Sequence, residues 1–543
     1  MSSHPASSTN ADTYDAVIVG AGLAGIYMLY RLRNLGLNAI AVDSANGVGG
    51  TWYHNRYPGA RCDIESYLYS YSFSPELDNE WSWSERYAGQ PEILRYIEHV
   101  TERFKLLPHI KLNTRINGAR FDQHSNLWVL ESSDNTVFTT RYCIMATGCL
   151  SAPVSPDIQN LHEFGGRIYH TSRWPKEETS FSGERVGVIG TGSSGVQVIP
   201  CIAKEASHLT VFQRTPNFCI PAHNRTLTDI EVQSIKSIYP LIRKAARNTP
   251  FGIGPAQPFP TSSALSVDDD SRELCYMSAW LKGDLFGLPL SYIDILYNQE
   301  ANDTAANFVH KRIEHTVKDT AVAELLKPCT HGLGTKRMCL ENGYYATYNK
   351  PNVELVDLNA SPILHATKNG ITTTRQHYPL DTLVLATGFD GMTGALLSMD
   401  ISGIDGHTLK DSWADGPITY LGISVPDFPN MFIIAGAGSP SVLCNMTVAI
   451  EQHVDWIAQC IQHLDHNKTK VFDASHQAAA TWTSECHHLV DNTLLESSPS
   501  WWRGANIHGK PQKFMPFFGG FVRYAEICQN VADDGYVGYN LQS

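Results

Sequence analysis

Tyr14-Asp15-Ala16-Val17-Ile18-Val19 runs straight into Gly20-Ala21-Gly22-Leu23-Ala24-Gly25, and the reading of this stretch decides the fold. A short apolar run without alternation marks a parallel strand buried on both faces. Past the glycines, apolar residues return at helical spacing (Ile26, Leu29, Tyr30, Leu32, Leu35), and Gly36 ends the helix. Asn38–Val42 is a second buried strand that closes at Asp43, completing one βαβ unit. The pattern then recurs. Gly187–Ile189 opens into Gly190-Thr191-Gly192-Ser193-Ser194-Gly195, and a further strand pattern reaches Val211-Phe212. The expected class is α/β: two Rossmann-like dinucleotide-binding domains, the second inserted in the first, plus a helical subdomain.

Working outward, the first 13 residues read as a disordered leader with no secretory signal. Residues 90–106 read as an amphipathic helix. Residues 113–145 carry strands with turn clusters at Asn117-Gly118 and Ser133–Asn135, ending in Ala146-Thr147-Gly148. Helical periodicity over Asp229–Ala246, Ser271–Leu285 and Asn302–Leu326 surrounds a Pro/Gly/Ser-rich stretch at 249–265, so 219–328 is expected to be a helical insertion. Strands resume at Val353–Leu358 and Thr382–Leu385, the latter ending in Ala386-Thr387-Gly388-Phe389-Asp390. Gly436-Ala437-Gly438 forms another glycine-rich turn, and a helix runs from about Val448 to His463.

Composition narrows the function. A formal net charge of −13, with no Lys/Arg block, opposes a nucleic-acid partner. The apolar stretches Val186–Ala203 and Met431–Ile450 are interrupted by Gly, Ser, Gln or Asn, so no membrane span is expected. None of the 12 cysteines has C-x-x-C spacing, which argues against a dithiol redox pair or a zinc site. Scattered, reduced thiols fit a cytoplasmic protein.

The two G-x-G-x-x-G turns differ in the residue that follows their second strand. Asp43 presents a carboxylate, which accepts hydrogen bonds from a ribose 2′-hydroxyl. Arg214, with Thr215, presents a guanidinium that pairs with a 2′-phosphate, and Lys336 is a second cation for the same group. The first site is therefore expected to bind FAD through Gly20, Gly22, Gly25 and Asp43. The second is expected to bind NADPH through Gly190, Gly192, Ser193, Ser194, Gly195, Arg214, Thr215 and Lys336. A solvated surface role for Arg214 is the competing reading. A chain holding both nucleotides is a two-electron redox enzyme, and without a cysteine pair oxygen is a plausible acceptor.

Between the cradles, Phe164-Gly165-Gly166-Arg167-Ile168-Tyr169-His170-Thr171-Ser172-Arg173-Trp174-Pro175 matches F-x-G-x-x-x-H-x-x-x-W-P at Phe164, Gly166, His170, Trp174 and Pro175. This is the fingerprint of type I Baeyer–Villiger monooxygenases, and the chain resembles that family from about Tyr14 to its end, most weakly over 219–328. Gly49-Gly50-Thr51-Trp52 and Tyr57–Asp63 look like the family's flavin-side segment, which adds Gly50, Thr51, Trp52 and Asp63 to the cofactor set. Gly334-Thr335-Lys336-Arg337 looks like the loop with its active-site arginine, and Ser500–Asn506 resembles the mobile loop that closes over NADPH, with Trp501 on the ribose.

The resemblance implies that NADPH reduces FAD, that O2 yields a peroxyflavin, and that this inserts one oxygen atom beside the carbonyl of a ketone to give an ester or lactone. Arg337 would hold the peroxide anion and the later oxyanion, and Asp63 would orient Arg337. Structural ion pairing is the competing reading for both. His170 is read as a hinge or a satisfied core histidine rather than an acid/base. The alternatives for the whole chain are a flavin-dependent heteroatom (S/N) oxygenase and an NADPH oxidase-type flavoprotein.

The implied division is 14–150 and 389–543 for the FAD-binding domain with its C-terminal loop, 151–218 and 329–388 for the linker and NADP-binding domain, and 219–328 for the helical subdomain. The expected partners are a small-molecule ketone and O2, the expected state a monomer or weak oligomer, and no metal is expected. Some positions depart from the family pattern. Ala437 and His508 replace common prolines and are read as loosening the closing loop. Met338-Cys339 and the aromatic tail (Phe514, Phe517, Phe518, Phe521, Tyr524) are read as shaping the pocket. Arg214→Ala is expected to raise the KM for NADPH far more than that for NADH; equal effects in steady-state assays would sink the 2′-phosphate assignment.

Overall fold

A computed structural model describes residues 12–254 and 260–543. Its strands, in chain order, begin with β1 (Asp12–Val19), β2 (Ala39–Val42), β3 (Ile110–Lys111), β4 (Ile116–Asp122), β5 (Leu127–Ser132) and β6 (Val137–Met145). They continue with β7 (Arg167–His170), β8 (Arg185–Ile189), β9 (His208–Gln213), β10 (Cys219–Pro221), β11 (Cys339–Glu341) and β12 (Val353–Asp357). The rest are β13 (Ile363–Thr367), β14 (Gly370–Thr373), β15 (His377–Pro379), β16 (Thr382–Leu385), β17 (Asp400–Ser402), β18 (Met431–Ile433) and an antiparallel pair, Val471–Ala474 with Tyr539–Gln542.

One sheet has the order β17-β4-β5-β6-β1-β2-β3, with β18 beside the far end of β6. The second is wholly parallel, ordered β12-β9-β8-β16-β7, and the chain enters it after β6 and returns to the first sheet at β17. The second dinucleotide unit is thus inserted in the first. The buried apolar runs have the expected cause: Ala16, Val17 and Ile18 in β1, and Val186 and Val188 in β8, are fully buried between covering layers.

Both cradles are dictated by the same close approach. A Cβ on Gly20 would lie 2.4 Å from the Ala146 carbonyl oxygen, and one on Gly190 would lie 2.4 Å from that of Ala386. A Cβ on Gly25 would meet the Gly20 carbonyl oxygen at 1.8 Å, and one on Gly195 that of Gly190 at 2.2 Å. Each A-T-G turn is therefore the wall against which its cradle closes.

Four sequence expectations change. Asp12 and Thr13, expected in the leader, belong to β1, paired with Phe138 and Thr139; the rest of that expected segment, residues 1–11, lies outside the described residues. Asn117-Gly118 is not a turn but part of β4, at a register shift, where the bare Gly118 lets the Asp400 carbonyl of β17 approach. The 219–328 insertion opens with β10, parallel to β11, before its helices Asp229–Arg247, Asp269–Lys282, Gln299–Thr316 and Thr320–Leu326. The last two were expected as one; Asp319 caps a new helix by accepting from the Ala321 and Val322 N–H groups. Residues 255–259 of the Pro/Gly/Ser-rich stretch lie outside the described residues. The insertion is pinned to the flavin-side unit by Arg243, whose buried guanidinium meets Asp78 at 2.6 Å, an arrangement whose one-sided loss costs about 3–5 kcal/mol.

Gly25→Ala is expected to yield protein recovered without bound flavin, because the added methyl cannot fit beside the Gly20 carbonyl. Flavin absorbance per mole of purified protein checks this, and full occupancy would contradict it.

Candidate active site

The helices that follow the two cradles, Leu23–Asn34 and Ser193–Ile202, begin alike. Gly22 and Gly192 are their N-caps, with φ/ψ of −84°/−167° and −80°/−168°, and neither offers a side chain to the first-turn N–H groups. Those donors are left to face an anion, as a pyrophosphate requires. In the first cradle Asp43 accepts from the Ala21 N–H (2.7 Å) and the Ala45 N–H (2.8 Å), which fixes its carboxylate at the mouth with lone pairs to spare. Gly50, at φ +55°, packs its Cα against Gly22, and the Gly49 N–H donates to the Ala21 carbonyl at 2.9 Å. Thr51 begins the short helix Thr51–His54, and buried Trp52 donates its indole N–H to the Tyr69 hydroxyl at 3.1 Å. This geometry fits an adenine dinucleotide.

At the second cradle Thr191 donates to the Thr215 carbonyl at 3.0 Å, holding the segment with Arg214 against the turn. Burial, and then repulsion from Arg214, hold the Lys336 ammonium below the ordinary lysine value. Among the described residues no carboxylate pairs with either cation. Arg214 is exposed and stands close enough to Lys336 to act on its charge, so the pair is open to an anion from solvent.

Asp63 and Arg337 come together across the two units. Arg337 Nε donates to Asp63 Oδ2 at 2.9 Å and Nη2 to Oδ1 at 2.8 Å, while Nη1 donates to the Val442 carbonyl at 2.8 Å. Burial opposes the charge, yet Asp63 more than offsets it, and the guanidinium pKa stands above its ordinary value. Asp63 is placed by the segment before it. The Tyr57 hydroxyl donates to Gln197 Oε1 (2.8 Å), Gln197 Nε2 donates to the Arg61 carbonyl (3.1 Å), and Gly59, at φ +85°, lies where a Cβ would sit 2.5 Å from the Gln197 carbonyl oxygen. The flavin-side motif is therefore built onto the helix of the other cradle. On the Arg337 side, Asn217 Nδ2 donates to the Arg337 carbonyl at 3.1 Å.

The fingerprint motif forms a joint. His170 ends β7; its Nδ1 accepts from the Ser172 N–H (3.1 Å), which leaves Nε2 to donate toward the Val154 carbonyl and Thr387 Oγ1, both at 3.2 Å. Burial holds its pKa below the ordinary value, so it is a neutral clip between the linker and the second A-T-G turn. Gly166 is required because a Cβ would lie 2.3 Å from the Asp381 carbonyl oxygen. Phe164 is buried, and Trp174, followed by Pro175, packs on Tyr169 with its indole N–H on Thr179.

The C-terminal loop lies folded on the turn after β16. Trp501 rests over Gly391, where a Cβ would come within 2.7 Å of the indole. Asn506 Nδ2 donates to the Phe389 carbonyl at 2.8 Å, and Lys510 Nζ, largely buried, pairs with Asp390 and donates to the Gly391 carbonyl at 2.9 Å. These anchors fasten the loop despite His508. Sequence reading missed Gln197 and Lys510 and the roles of Asn506 and Asp390; the last two carried a signal, inside the Ser500–Asn506 loop motif and the second A-T-G motif. The tail divides. Phe514 and Phe518 pack with Met392, Trp502 and Met515, whereas Phe517, Phe521 and Tyr524 join the main core with Trp482. Met338 and Cys339 are buried in the core of the second unit.

A family model described as pyridine nucleotide-disulphide oxidoreductase matches residues 17–239, spanning both cradles. A Baeyer–Villiger monooxygenase of Pseudooceanicola batsensis is 39% identical, over 96% of this chain and 95% of its own. The chain belongs to the Baeyer–Villiger monooxygenases. A phenazine N-monooxygenase of Lysobacter antibioticus is 41% identical over 98% of this chain and 97% of its own. The solved structure of an oxidised steroid monooxygenase bound to NADP superposes with a TM-score of 0.93 at 47% identity, covering 98% of this chain and 99% of that one. This monooxygenase is thus an FAD- and NADPH-dependent enzyme whose 12 cysteines are all free, in keeping with electrons that pass to oxygen rather than to a disulfide. No helix among the described residues is long and apolar enough to cross a membrane.

Lys510→Met is expected to release the loop from Asp390, raising the KM for NADPH several-fold at unchanged flavin content and speeding protease cleavage within 500–510. Wild-type cleavage rates would show that the ion pair does not hold the loop.

Proposed function

We propose that this monooxygenase inserts one oxygen atom beside the carbonyl of a bulky cyclic ketone to give a lactone, with Arg337 and Asp63 as its catalytic pair. The observation that carries the reading is the bidentate Asp63–Arg337 contact beside Val442, where the two units meet. The FAD held by the first cradle would supply the two-electron chemistry that links NADPH to O2. Arg337 has five N–H donors, of which three are engaged by Asp63 and Val442. The two remaining donors would stabilise negative charge developing at the oxidant and at the substrate carbonyl oxygen, and a guanidinium keeps its charge at any working pH. Asp63 fixes the plane of that guanidinium, so its charge is aimed without reorganisation. The folded loop with Trp501 and buried Trp502 excludes water, which would otherwise divert the oxidant to hydrogen peroxide.

Gly20, Gly22, Gly25, Asp43, Gly50, Thr51 and Trp52 would hold FAD. Gly190, Gly192, Ser193, Ser194, Gly195, Arg214, Thr215, Lys336 and Trp501 would hold NADPH. Residues 14–150 and 389–543 serve as the flavin domain, 151–218 and 329–388 as the linker and NADP domain, and 219–328 as the helical subdomain. The substrate is a polycyclic ketone: likeness to the steroid monooxygenase supports this, as does the apolar cluster of Met392, Val442, Trp502, Phe514 and Met515. In the same reading the enzyme works in the cytoplasm as a monomer or weak oligomer, without a nucleic-acid or membrane partner.

Likeness to the phenazine N-monooxygenase supports a second reading, oxidation of a ring nitrogen or a sulfide. A panel of ketones, sulfides and aromatic amines with product mass analysis separates the two. A lactone heavier than its ketone by one oxygen atom is expected, with Arg337→Ala still bleaching its flavin with NADPH but forming no lactone. Lactone from Arg337→Ala would remove the arginine from its role, and S- or N-oxides alone would favour the second reading.

A further inference from the structure

The turn Gly332–Thr335 is closed by the Thr335 N–H donating to the Gly332 carbonyl at 3.2 Å, and it brings His331 to the same end of the loop as Lys336. The loop is held rigidly. Asn302, fully buried on helix Gln299–Thr316, donates to the Leu333 carbonyl (2.9 Å) and the Ile295 carbonyl (2.8 Å), and its Oδ1 accepts from the Leu333 N–H (2.8 Å). From the C-terminal loop, Ser498 donates to Thr335 Oγ1 at 3.0 Å.

His331 itself is half-finished. Its ring lies edge-on to Phe218, with centroids 5.5 Å apart at 78°, and Nδ1 meets only Thr330 Oγ1, at 3.4 Å. Its Nε2 is shut off from solvent and has no partner. Buried polar atoms normally find partners, so an orphan ring nitrogen beside the paired cations Lys336 and Arg214 calls for a polar ligand.

We propose that His331 is a third ligand to the 2′-phosphate of NADPH, alongside Arg214 and Lys336. The proposal rests on the assignment of those two cations to the phosphate. The imidazole Nε2 supplies a donor where the two cations supply charge, and Asn302 holds it in place before the nucleotide arrives.

The surroundings give this contact a proton dependence. Burial first, and then the Lys336 charge, push the His331 pKa down to about 4, so the ring is neutral at pH 7 in the absence of an anion. Lys336 stands on its own loop, and Arg214 acts on Lys336 from the strand end. From the helix behind Phe218 comes His310, which burial keeps neutral and whose Nε2 is committed to the Pro328 carbonyl. Among the described residues no carboxylate bears on His331. A phosphate dianion reverses the balance by favouring the charged ring, so binding raises the His331 pKa and takes up a proton. NADPH then binds more tightly as the pH falls from 8 toward 6, and this gain is lost as the pH rises through the raised pKa.

The test is calorimetry of the flavin-loaded enzyme with NADP+ and NAD+, in buffers of different ionisation heat. Wild type is expected to take up more protons with NADP+ than His331→Gln does at pH 7. His331→Gln should bind NADP+ about tenfold more weakly, the worth of one charge-assisted hydrogen bond, with NAD+ unchanged. His331→Lys should keep the affinity for NADP+ and lose the extra proton uptake, which separates a lost ligand from a damaged loop. Equal proton uptake in wild type and His331→Gln, or equal weakening toward NADP+ and NAD+, would overturn the proposal. If Arg214→Ala and Lys336→Ala also weaken both nucleotides alike, the phosphate site itself is misassigned; if they discriminate and His331→Gln does not, only the role of His331 falls.

Discussion

The bidentate contact between Asp63 and Arg337 is the constraint on which the active site depends. Its carboxylate comes from the flavin-side segment and its guanidinium from the loop before β11 of the inserted unit, so neither unit owns the site. Two planar groups joined by paired hydrogen bonds tolerate little displacement. The two units must therefore meet in one arrangement, and much of the surrounding sequence serves that demand. Gly59 exists so that the Tyr57–Asp63 segment can lie on the Gln197 carbonyl. Gln197, one turn into the helix of the second cradle, answers with hydrogen bonds to both Tyr57 and Arg61. The helix that receives one nucleotide thereby positions the carboxylate that orients the arginine at the other.

Electrostatics divides the labour between two nearly identical cradles. Both present a glycine-capped helix end to a pyrophosphate, and both are walled by the carbonyl of an A-T-G alanine. They differ in what stands at the end of the next strand. One mouth carries a carboxylate already held by two backbone N–H groups. The other carries two cations that repel one another until an anion arrives. A polar lid then completes the second mouth, because the C-terminal loop is tied by Asn506 and Lys510 to the residues after β16 and by Ser498 to the loop before Arg337. Closing of that loop and placement of Arg337 and Lys336 are parts of one hydrogen-bonded assembly. The apolar cluster of Met392, Val442, Trp502, Phe514 and Met515 joins this loop to Val442, whose carbonyl accepts from Arg337.

A good part of this was legible in the chain. Tyr14–Val19 and Gly187–Ile189 are strands because a parallel strand covered on both faces must be apolar at every position. The glycine pattern reports the cradles because any side chain at Gly25 or Gly195 collides with the backbone of its own turn. Errors arose where local signals meet a tertiary neighbour. Asn117-Gly118 has the composition of a turn, but here the bare glycine admits a neighbouring strand. Asn302–Leu326 keeps apolar periodicity through a break that only the Asp319 cap enforces. The aromatic tail reads as one group, yet Phe514 and Phe518 are drawn into one core and Phe517, Phe521 and Tyr524 into another.

By itself, then, the sequence determined the repeated βαβ units, the opposite charge of their two mouths and the motifs that carry Asp63 and Arg337, because these follow from backbone sterics and from the chemistry of neighbouring residues. What only the tertiary structure decided is which distant groups meet: Asp63 with Arg337, Gln197 with Tyr57 and Arg61, Asn302 with Leu333, Asp390 with Lys510, and His331 with the cations of the second mouth. Those pairings depend on how the first sheet, the sheet inserted in it and the helical insertion pack against each other. Burial and hydrogen-bond saturation across the whole molecule set that packing, and no local window of the chain contains it.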